Sequence, residues 1–224
     1  MAKTLWFKYR HIIPLLVYGV LYFSCFVLLE HTVVDHYTVI HMKIDDYIPF
    51  LEVFIIPYLL WFPYVAVTIL FFFFKDKTEY YKACAFLFIG MTVFLIVSAL
   101  FPNGHHLRPV VFPRNNIFTD MLSVLYSKDT STNIVPSIHV FNAVGTHISI
   151  TKSQYLKEKR GVQIGSFILS MLIVFSTMFI KQHSVFDVLT AGGMVIVVYV
   201  IVYGFDFATV KKPVYQEQTN GVES

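Results

Sequence analysis

The sequence predicts an all-α, polytopic membrane protein, folded as a bundle of six transmembrane helices. Of its 224 residues, 56% are hydrophobic and only 14% are charged, whereas a typical soluble domain has about 25% charged residues. The apolar residues are also concentrated in long runs that short polar segments separate. A single globule of this length cannot bury so much apolar surface, so lipid must cover part of it.

Six apolar runs are candidate membrane spans. They are Ile12–Leu29, Ile48–Phe74, Ala83–Phe101, Ile134–Ile150, Val162–Ile180 and Ser184–Phe205. At about 1.5 Å per residue the second run would be about 40 Å long, which exceeds a hydrocarbon core of roughly 30 Å, so this helix must tilt, kink or protrude. The fourth run is short and contains His139, Asn142 and His147. We expect so polar a helix to face the interior of the bundle.

The chain is predicted to form one six-span domain over residues 1–212, followed by a disordered cytoplasmic tail over residues 213–224. Between the third and fourth spans, apolar residues recur at helical spacing from Ile117 to Leu125. This pattern predicts a short amphipathic helix on the membrane surface. Residues 31–47 have a similar mixture of polar and apolar residues. For both segments the alternative is a loop that only covers the bundle.

Basic residues are distributed unequally between the two sets of connecting segments. Twelve lie in the N-terminal segment, the second-to-third and fourth-to-fifth loops and the tail: Lys3, Lys8, Arg10, Lys75, Lys77, Lys82, Lys152, Lys157, Lys159, Arg160, Lys211 and Lys212. Five lie in the other loops: Lys43, Arg108, Arg114, Lys128 and Lys181. Positive charge favours the cytoplasmic side, so both termini are predicted to be cytoplasmic, and we expect the plasma membrane as the location. The net charge of +3 therefore reflects topology, and no nucleic-acid partner is expected.

Two short polar segments border apolar runs on the predicted outer side, where ionisable residues are costly unless they have a function. In the first, Pro136 suits the first turn of a helix, and Ser137 offers a hydroxyl and backbone N–H groups at a potential phosphate-binding helix N-terminus. His139 follows and could protonate a leaving oxygen. In the second, His183 and Asp187 are spaced i, i+4 on one helical face. The carboxylate can then hold one imidazole nitrogen and leave the other free as a nucleophile.

Two cations on the same side are candidates for binding a phosphate group. Arg108 can bind phosphate oxygens bidentately, and Lys181 lies two residues before His183. No group of Asp, Glu, His or Cys has the spacing of a metal site, so neither a metal nor a cofactor is expected. The two cysteines, Cys25 and Cys84, lie within predicted spans and are interpreted as packing residues.

The motifs occur in the order Arg108-Pro109, then Pro136-Ser137-x-His139, then His183-x3-Asp187. This order resembles the type 2 phosphatidic acid phosphatase (PAP2) superfamily of membrane lipid phosphatases and phosphotransferases, which also have six spans. The resemblance implies a metal-independent lipid phosphatase acting at the extracytoplasmic face on a phosphatidate-like or isoprenoid phosphate. It implies that Arg108 and Ser137 bind the phosphate, His139 is the general acid, His183 is the nucleophile that forms a phosphohistidine, and Asp187 orients it.

The chain departs from the family pattern at three positions, where Phe101, Ile138 and Thr177 replace lysine, glycine and arginine. The segment from Ser176 to Asp187 is similar to the branch that contains inositol phosphorylceramide synthases and sphingomyelin synthases. A lipid phospho-headgroup transferase of that kind is therefore the first alternative. The second is a non-enzymatic lipid transporter, which the missing half-to-half repeat and the clustering of polar residues at one membrane face disfavour.

Overall fold

The computed structural model describes residue 6 and residues 9–32 and 36–204 of the chain. The predicted tail, residues 213–224, and the last residue of the sixth predicted span, Phe205, lie outside this part. The described residues are mostly helical, as predicted.

Seven α-helices occur in the described ranges. They are α1 (Ile13–Thr32), α2 (Ile55–Lys75), α3 (Lys77–Leu100), α4 (Ile117–Lys128), α5 (Ile138–Lys152), α6 (Arg160–Phe179) and α7 (Val185–Tyr199). Short 3-10 helices cover Arg10–Ile12, Lys43–Asp46 and Glu52–Phe54, and a π-helix over Val200–Gly204 continues α7. Two short parallel strands, β1 (Thr38–Val39) and β2 (Asn103–Gly104), pair Thr38 with Asn103 and Val39 with Gly104.

In the described part of the chain, five helical segments are long and apolar enough to cross a membrane. They are Arg10–Thr32, Glu52–Lys75, Lys77–Leu100, Arg160–Phe179 and Val185–Gly204. The remaining predicted span corresponds to α5, whose 15 residues extend about 22 Å, less than a typical hydrocarbon core of about 30 Å. The structure thus shows five helical segments that could cross a membrane and a shorter helix, α5, at the position of the fourth predicted span.

The predicted start of the fourth span at Ile134 was wrong. Residues 134–137 form an irregular segment, and α5 begins only at Ile138. Pro136 lacks a backbone N–H group, and the Ser137 side chain accepts a hydrogen bond from the Val140 N–H at 3.4 Å, so this segment ends in a helix cap. The later start places His139 in the first turn of the helix.

The second span begins later than its apolar run. The run starts at Ile48, but α2 starts at Ile55, after the 3-10 turn Glu52–Phe54. The 21 residues of α2 are about 32 Å long. The sequence predicted that this long run must tilt, kink or protrude. In the structure, residues 48–54 protrude beyond the start of the α-helix.

The core is centred on α5, which packs against α2, α3, α6 and α7. The rings of Phe86 on α3 and Phe141 on α5 stack at a centroid distance of 5.1 Å. Two glycines allow this contact, because a Cβ at Gly90 would lie 2.0 Å from the Phe141 ring and a Cβ at Gly145 would lie 2.5 Å from the Phe86 ring. A side chain at either position would force these rings apart.

Three connecting segments meet at one end of the helices and form what we call the loop end: residues 36–54, 101–137 and 180–184. The predicted helix in the second of these segments is confirmed as α4. Its Leu122 is fully buried and packs against Ile55, Tyr58 and Ile180, so α4 covers the ends of α2 and α6. The loop end is therefore a packed layer that holds side chains in fixed positions.

Candidate active site

The centre of the site is a hydrogen-bonded pair at the start of α7. The Nδ1 atom of His183 lies 3.2 Å from Oδ2 of Asp187, and the same carboxylate oxygen accepts the Ser184 N–H at 2.8 Å. The Ser184 hydroxyl caps the helix by accepting the Phe186 N–H at 3.1 Å. His183 and Asp187 are both buried. This arrangement fixes the imidazole ring and leaves Nε2 facing away from the carboxylate.

His139 lies opposite the free nitrogen of His183. Its Nδ1 atom is 3.5 Å from His183 Nε2, and the ring is held between the aromatic rings of Tyr58 and Trp61, with centroid distances of 4.6 and 4.5 Å. Two motifs 44 residues apart in sequence therefore meet through their imidazole rings. The structure brings together the three residues predicted to be catalytic, His139, His183 and Asp187.

Burial controls the charge of His183. Removal of the ring from water lowers the pKa of His183, and the positive Arg108 guanidinium lowers it further. The imidazole is consequently neutral around pH 7, which is the form that can act as a nucleophile.

Ser137 links the two halves of the site through its backbone. Its N–H group donates to the Asp187 carbonyl oxygen at 3.3 Å, and its hydroxyl oxygen caps α5. The side chain is fully buried. Ser137 thus fixes the start of α5 relative to α7, and its predicted contact with phosphate stays a prediction.

Arg108 lies beside this centre, and its guanidinium is already hydrogen bonded. One terminal nitrogen donates to the Asp129 carbonyl oxygen at 2.8 Å, and the other donates to the Thr130 carbonyl oxygen at 2.7 Å and to the Gln182 side-chain oxygen. Its Nε atom is buried without a partner among the described residues. The guanidinium also lies 4.5 Å above the Tyr126 ring. Arg108 would have to exchange some of these partners to bind phosphate.

Lys181 is directed toward a different part of the loop end. Its ammonium group donates to the backbone carbonyl oxygens of Asp45 at 2.9 Å and Ile48 at 2.6 Å. Burial lowers the pKa of Lys181, while the neighbouring Asp45 and Asp46 oppose that shift. In this conformation Lys181 anchors the 36–54 segment, and its predicted role as a phosphate counter-charge stays a prediction.

Asp45 is a site residue that the sequence did not identify. It is buried, and its carboxylate accepts hydrogen bonds from the Ser184 hydroxyl at 2.6 Å, the Val185 N–H at 2.8 Å and the Met42 N–H at 2.8 Å. Asp45 therefore holds the N-terminus of α7, where His183 and Asp187 are positioned. The two partners that belong to the site, Ser184 and Val185, lie about 140 residues away in sequence, so no local pattern could have linked Asp45 to them.

We expect Asp45→Ala to destabilise the protein by about 1–3 kcal/mol, because one buried and two partly buried donors lose their acceptor. Turnover should also fall, since the segment that carries His183 is no longer held. The matched control is Asp46→Ala, because Asp46 is exposed and its side chain pairs with the exposed His41. Thermal unfolding in detergent and initial rates measure both effects. Equal unfolding temperatures for the two variants would contradict this role of Asp45.

A small cavity of about 30 Å³ lies against the two histidines. It is large enough for about one water molecule. Two carboxylates also line it, Glu30 at the end of α1 and Asp129 after α4. Glu30 accepts from the Thr130 hydroxyl at 2.6 Å and from the Asn133 amide at 3.1 Å. Burial raises the pKa of Asp129 to about 6, although the Arg108 guanidinium acts in the opposite direction.

His105 is a neutral residue that contacts the backbone next to His183, at Gln182. It is buried, its Nε2 atom lies 2.9 Å from the Gln182 carbonyl oxygen, and its Nδ1 atom accepts the Leu107 N–H at 3.0 Å. Each nitrogen therefore has one partner, and protonation of Nδ1 would remove an acceptor. Burial lowers the pKa of His105 to about 3.

This shift predicts an acid-sensitive stability. Between the unfolded pKa of about 6.5 and the folded pKa of about 3, the unfolded chain binds a proton at this residue and the folded chain does not. Stability should therefore fall with decreasing pH below 6.5, by up to about 1.4 kcal/mol per pH unit from this residue. Unfolding curves from pH 7 to 4 measure the slope, and His105→Gln should reduce it. An unchanged slope in that variant would contradict the assignment.

Two other polar residues have structural partners. His147 Nδ1 lies 2.9 Å from the Ser166 hydroxyl, which joins α5 to α6. Glu52 is buried and pairs with Arg114, at 2.6 Å to each carboxylate oxygen. Within the described ranges no group of three or more His, Cys, Asp or Glu residues could hold a metal ion.

The chain matches no protein-family model, no curated protein and no solved structure at a significant level.

Proposed function

We propose that this chain is a membrane-embedded phosphoryl-transfer enzyme that dephosphorylates a lipid phosphate through a phosphohistidine. The single observation that supports this most is the arrangement around His183, with Asp187 at Nδ1 and His139 3.5 Å from Nε2. A neutral imidazole oriented by a carboxylate is a nucleophile, and the second imidazole can serve as an acid.

In the proposed reaction, Nε2 of His183 attacks phosphorus while Asp187 accepts the hydrogen bond from Nδ1–H. The bond between phosphorus and the lipid oxygen breaks, and His139 protonates that oxygen to release a lipid alcohol. Water then attacks the phosphohistidine, with His139 as base, which releases inorganic phosphate and restores His183.

The substrate must open the site before this reaction can occur. A phosphoryl group cannot fit between two nitrogen atoms that are 3.5 Å apart, and the adjacent cavity of about 30 Å³ holds about one water molecule. Movement of the 180–184 segment would carry His183 away from His139. A rearrangement within the 101–137 segment would release Arg108 from the carbonyl groups of Asp129 and Thr130. The freed guanidinium could then bind phosphate oxygens bidentately.

The two carboxylates at the cavity favour a second candidate, the lipid phospho-headgroup transferase. Glu30 and Asp129 line the same cavity as His139 and His183, and Arg108 is the one cation that hydrogen bonds there among the described residues. Negative charges repel a phosphate monoester dianion more strongly than a phosphodiester with one negative charge. A phosphodiester headgroup passed from His183 to a lipid alcohol would use the same three residues.

A turnover assay separates these functions. Purified protein in detergent is given lipid phosphates and phosphodiester lipids, with and without diacylglycerol or ceramide as acceptor. Release of inorganic phosphate without an acceptor supports the phosphatase, and a new phospholipid formed only with an acceptor supports the transferase. No product in any combination, together with protein-dependent lipid movement across vesicles, supports the transporter.

The proposal includes six membrane spans, with α5 as the short central one and the loop end on the outer side of the plasma membrane. It rests on the five apolar helices and on the excess of basic residues in the other set of connecting segments of the sequence. The interaction partners in this proposal are the bilayer and the lipid substrate.

Cysteine labelling tests this orientation. Ser127 is exposed at the end of α4, and Gln154 is exposed after α5 at the opposite end of the bundle. An impermeant thiol reagent should label Ser127→Cys in intact cells, whereas Gln154→Cys should be labelled only after the membrane is opened. Labelling of Gln154→Cys alone in intact cells would place the site in the cytoplasm.

A further inference from the structure

Gln182 is a buried residue that lies next to the proposed nucleophile, His183. It is only 3% exposed. Its N–H group donates to the Thr177 carbonyl oxygen at 2.9 Å, and its own carbonyl oxygen lies 2.9 Å from Nε2 of His105. The His183 N–H group also donates to the Thr177 carbonyl oxygen, at 3.0 Å. The backbone of Gln182 and His183 is therefore fixed at the end of α6, and the Gln182 side chain starts from a defined position.

The amide of the Gln182 side chain connects a cation with a carboxylate. Its oxygen accepts a hydrogen bond from a terminal nitrogen of Arg108, and its nitrogen donates to Oδ2 of Asp129 at 2.9 Å. A guanidinium has only donors and an ionised carboxylate has only acceptors. An amide in this orientation satisfies both neighbours, because it presents its oxygen to Arg108 and its nitrogen to Asp129.

Arg108 and the Asp129 carboxylate do not pair directly. In the part of the chain that the structure describes, Arg108 forms no ion pair, and its other hydrogen bonds go to backbone carbonyl oxygens, including that of Asp129 itself. A bidentate pair with the carboxylate would occupy the parallel N–H groups that a phosphate needs. Carbonyl oxygens are neutral acceptors, so a phosphate can displace them more easily than it can displace a carboxylate.

From this geometry we infer that Gln182 is a positioning residue: it holds Arg108 beside His183 and separates it from Asp129, so that the guanidinium stays available to the phosphate group of the substrate. The inference rests on the proposed function, because it takes Arg108 as the group that binds phosphate. Burial raises the pKa of Asp129 to about 6, so this carboxylate is ionised at pH 7. Without the amide it would compete with phosphate for the guanidinium.

An isosteric substitution tests the need for a neutral group at position 182. In Gln182→Glu the side chain keeps its length and an oxygen for Arg108, but its negative charge pairs with the guanidinium. We expect the Kd of a hydrolysis-resistant lipid phosphonate to rise by about 10- to 100-fold, the scale of one hydrogen bond to a charged group. KM for a lipid phosphate should rise with it, while kcat changes less.

The matched control is Gln154→Glu, which adds the same charge at an exposed position outside the site. It should bind the phosphonate like the wild type. If Gln182 served only as a structural acceptor for Arg108, a carboxylate would serve equally well, and Gln182→Glu would bind like the wild type too. That result overturns the inference and leaves the phosphatase proposal intact.

A double variant tests the separation of Arg108 from Asp129. In Gln182→Ala the two charged side chains can pair directly, so phosphonate binding should weaken by about tenfold or more. The second substitution, Asp129→Asn, removes the competing charge. Gln182→Ala/Asp129→Asn should therefore bind at least about fivefold more tightly than Gln182→Ala alone. A residue that only supports packing gives no such rescue, and losses that accumulate in the double variant overturn the inference.

Calorimetric titration of the phosphonate and turnover are measured on the same full-length preparations in detergent, so the two proposals can fail separately. The expected order of affinities among the variants, without release of phosphate from any lipid phosphate, supports the role of Gln182 and contradicts the proposed phosphatase. Turnover by the wild type, with phosphonate binding that does not depend on residue 182, overturns only the role of Gln182. A wild type that binds no phosphonate overturns both.

Discussion

Replacement of His183 by alanine is expected to reduce turnover by about 10⁴-fold or more, because no other residue can take the place of a covalent nucleophile. The loss should appear in kcat, since the side chain forms its bond to phosphorus during the chemical step. Initial rates with purified protein in detergent measure it. The variant should remain folded, because the contact of His183 Nε2 to His139 is long, at 3.5 Å, and the Asp187 carboxylate keeps its bond to the Ser184 N–H.

The matched control for this prediction is His147→Ala. His147 lies two turns further along α5 and bonds to Ser166 rather than to any site residue. The His147→Ala variant should retain most of the wild-type turnover. Substantial turnover by His183→Ala, or an equal loss in the two variants, would exclude His183 as the nucleophile.

Replacement of Asp187 by asparagine is expected to have the second largest effect, a loss of about 10³- to 10⁴-fold in kcat. The Asp187 oxygen that faces His183 Nδ1 also accepts the Ser184 N–H. An amide keeps that second contact, but it cannot stabilise the positive imidazole that forms as Nε2 attacks. The effect should therefore fall on kcat more than on KM.

Asp120→Asn is the control for Asp187→Asn, because Asp120 is exposed on α4 and has no contact with the site. The two variants should unfold at similar temperatures. A loss in KM alone, or an activity close to that of the wild type, would show that Asp187 only caps α7.

The membrane helices were predictable because each depends on local composition. A run of apolar residues bounded by charges forms a helix wherever it lies, and five of the predicted spans correspond to the five long apolar helices. Their ends were harder to predict. Residues 48–51 and 134–137 are apolar enough to extend a span, yet Leu51 donates to the Phe179 carbonyl oxygen and Asn103 binds the Ile134 and Val135 N–H groups. A hydropathy pattern contains no information about hydrogen bonds between residues that are distant in sequence.

The candidate site was predictable to a different degree for each residue. His183 and Asp187 are four residues apart on one helix, so their contact follows from helical geometry. Their contact with His139 depends on the packing of α5 against α7, and the i, i+4 spacing of His183 and Asp187 did not predict it. The roles of Asp45, Glu30 and Asp129 depend on contacts between loops that are distant in sequence.

Lys181 shows how little closeness in sequence says about the partners of a side chain in the fold. Its closeness to His183 in sequence suggested a shared site, but the backbone at Lys181 has a φ of 54°, in the left-handed region. Its side chain bonds to the carbonyl groups of Asp45 and Ile48. Proximity along the chain predicts a common location only when the intervening backbone is regular.

The most direct test of the account is to trap the phosphoenzyme. Purified protein is mixed with a lipid phosphate that carries a radioactive phosphate group, quenched within one turnover in alkali and digested, and the labelled peptide is sequenced. We predict an acid-labile, alkali-stable label on the peptide that contains His183, present in His147→Ala and absent from His183→Ala. A phosphate that is never bound to the protein, or a label on a residue other than His183, would contradict the account.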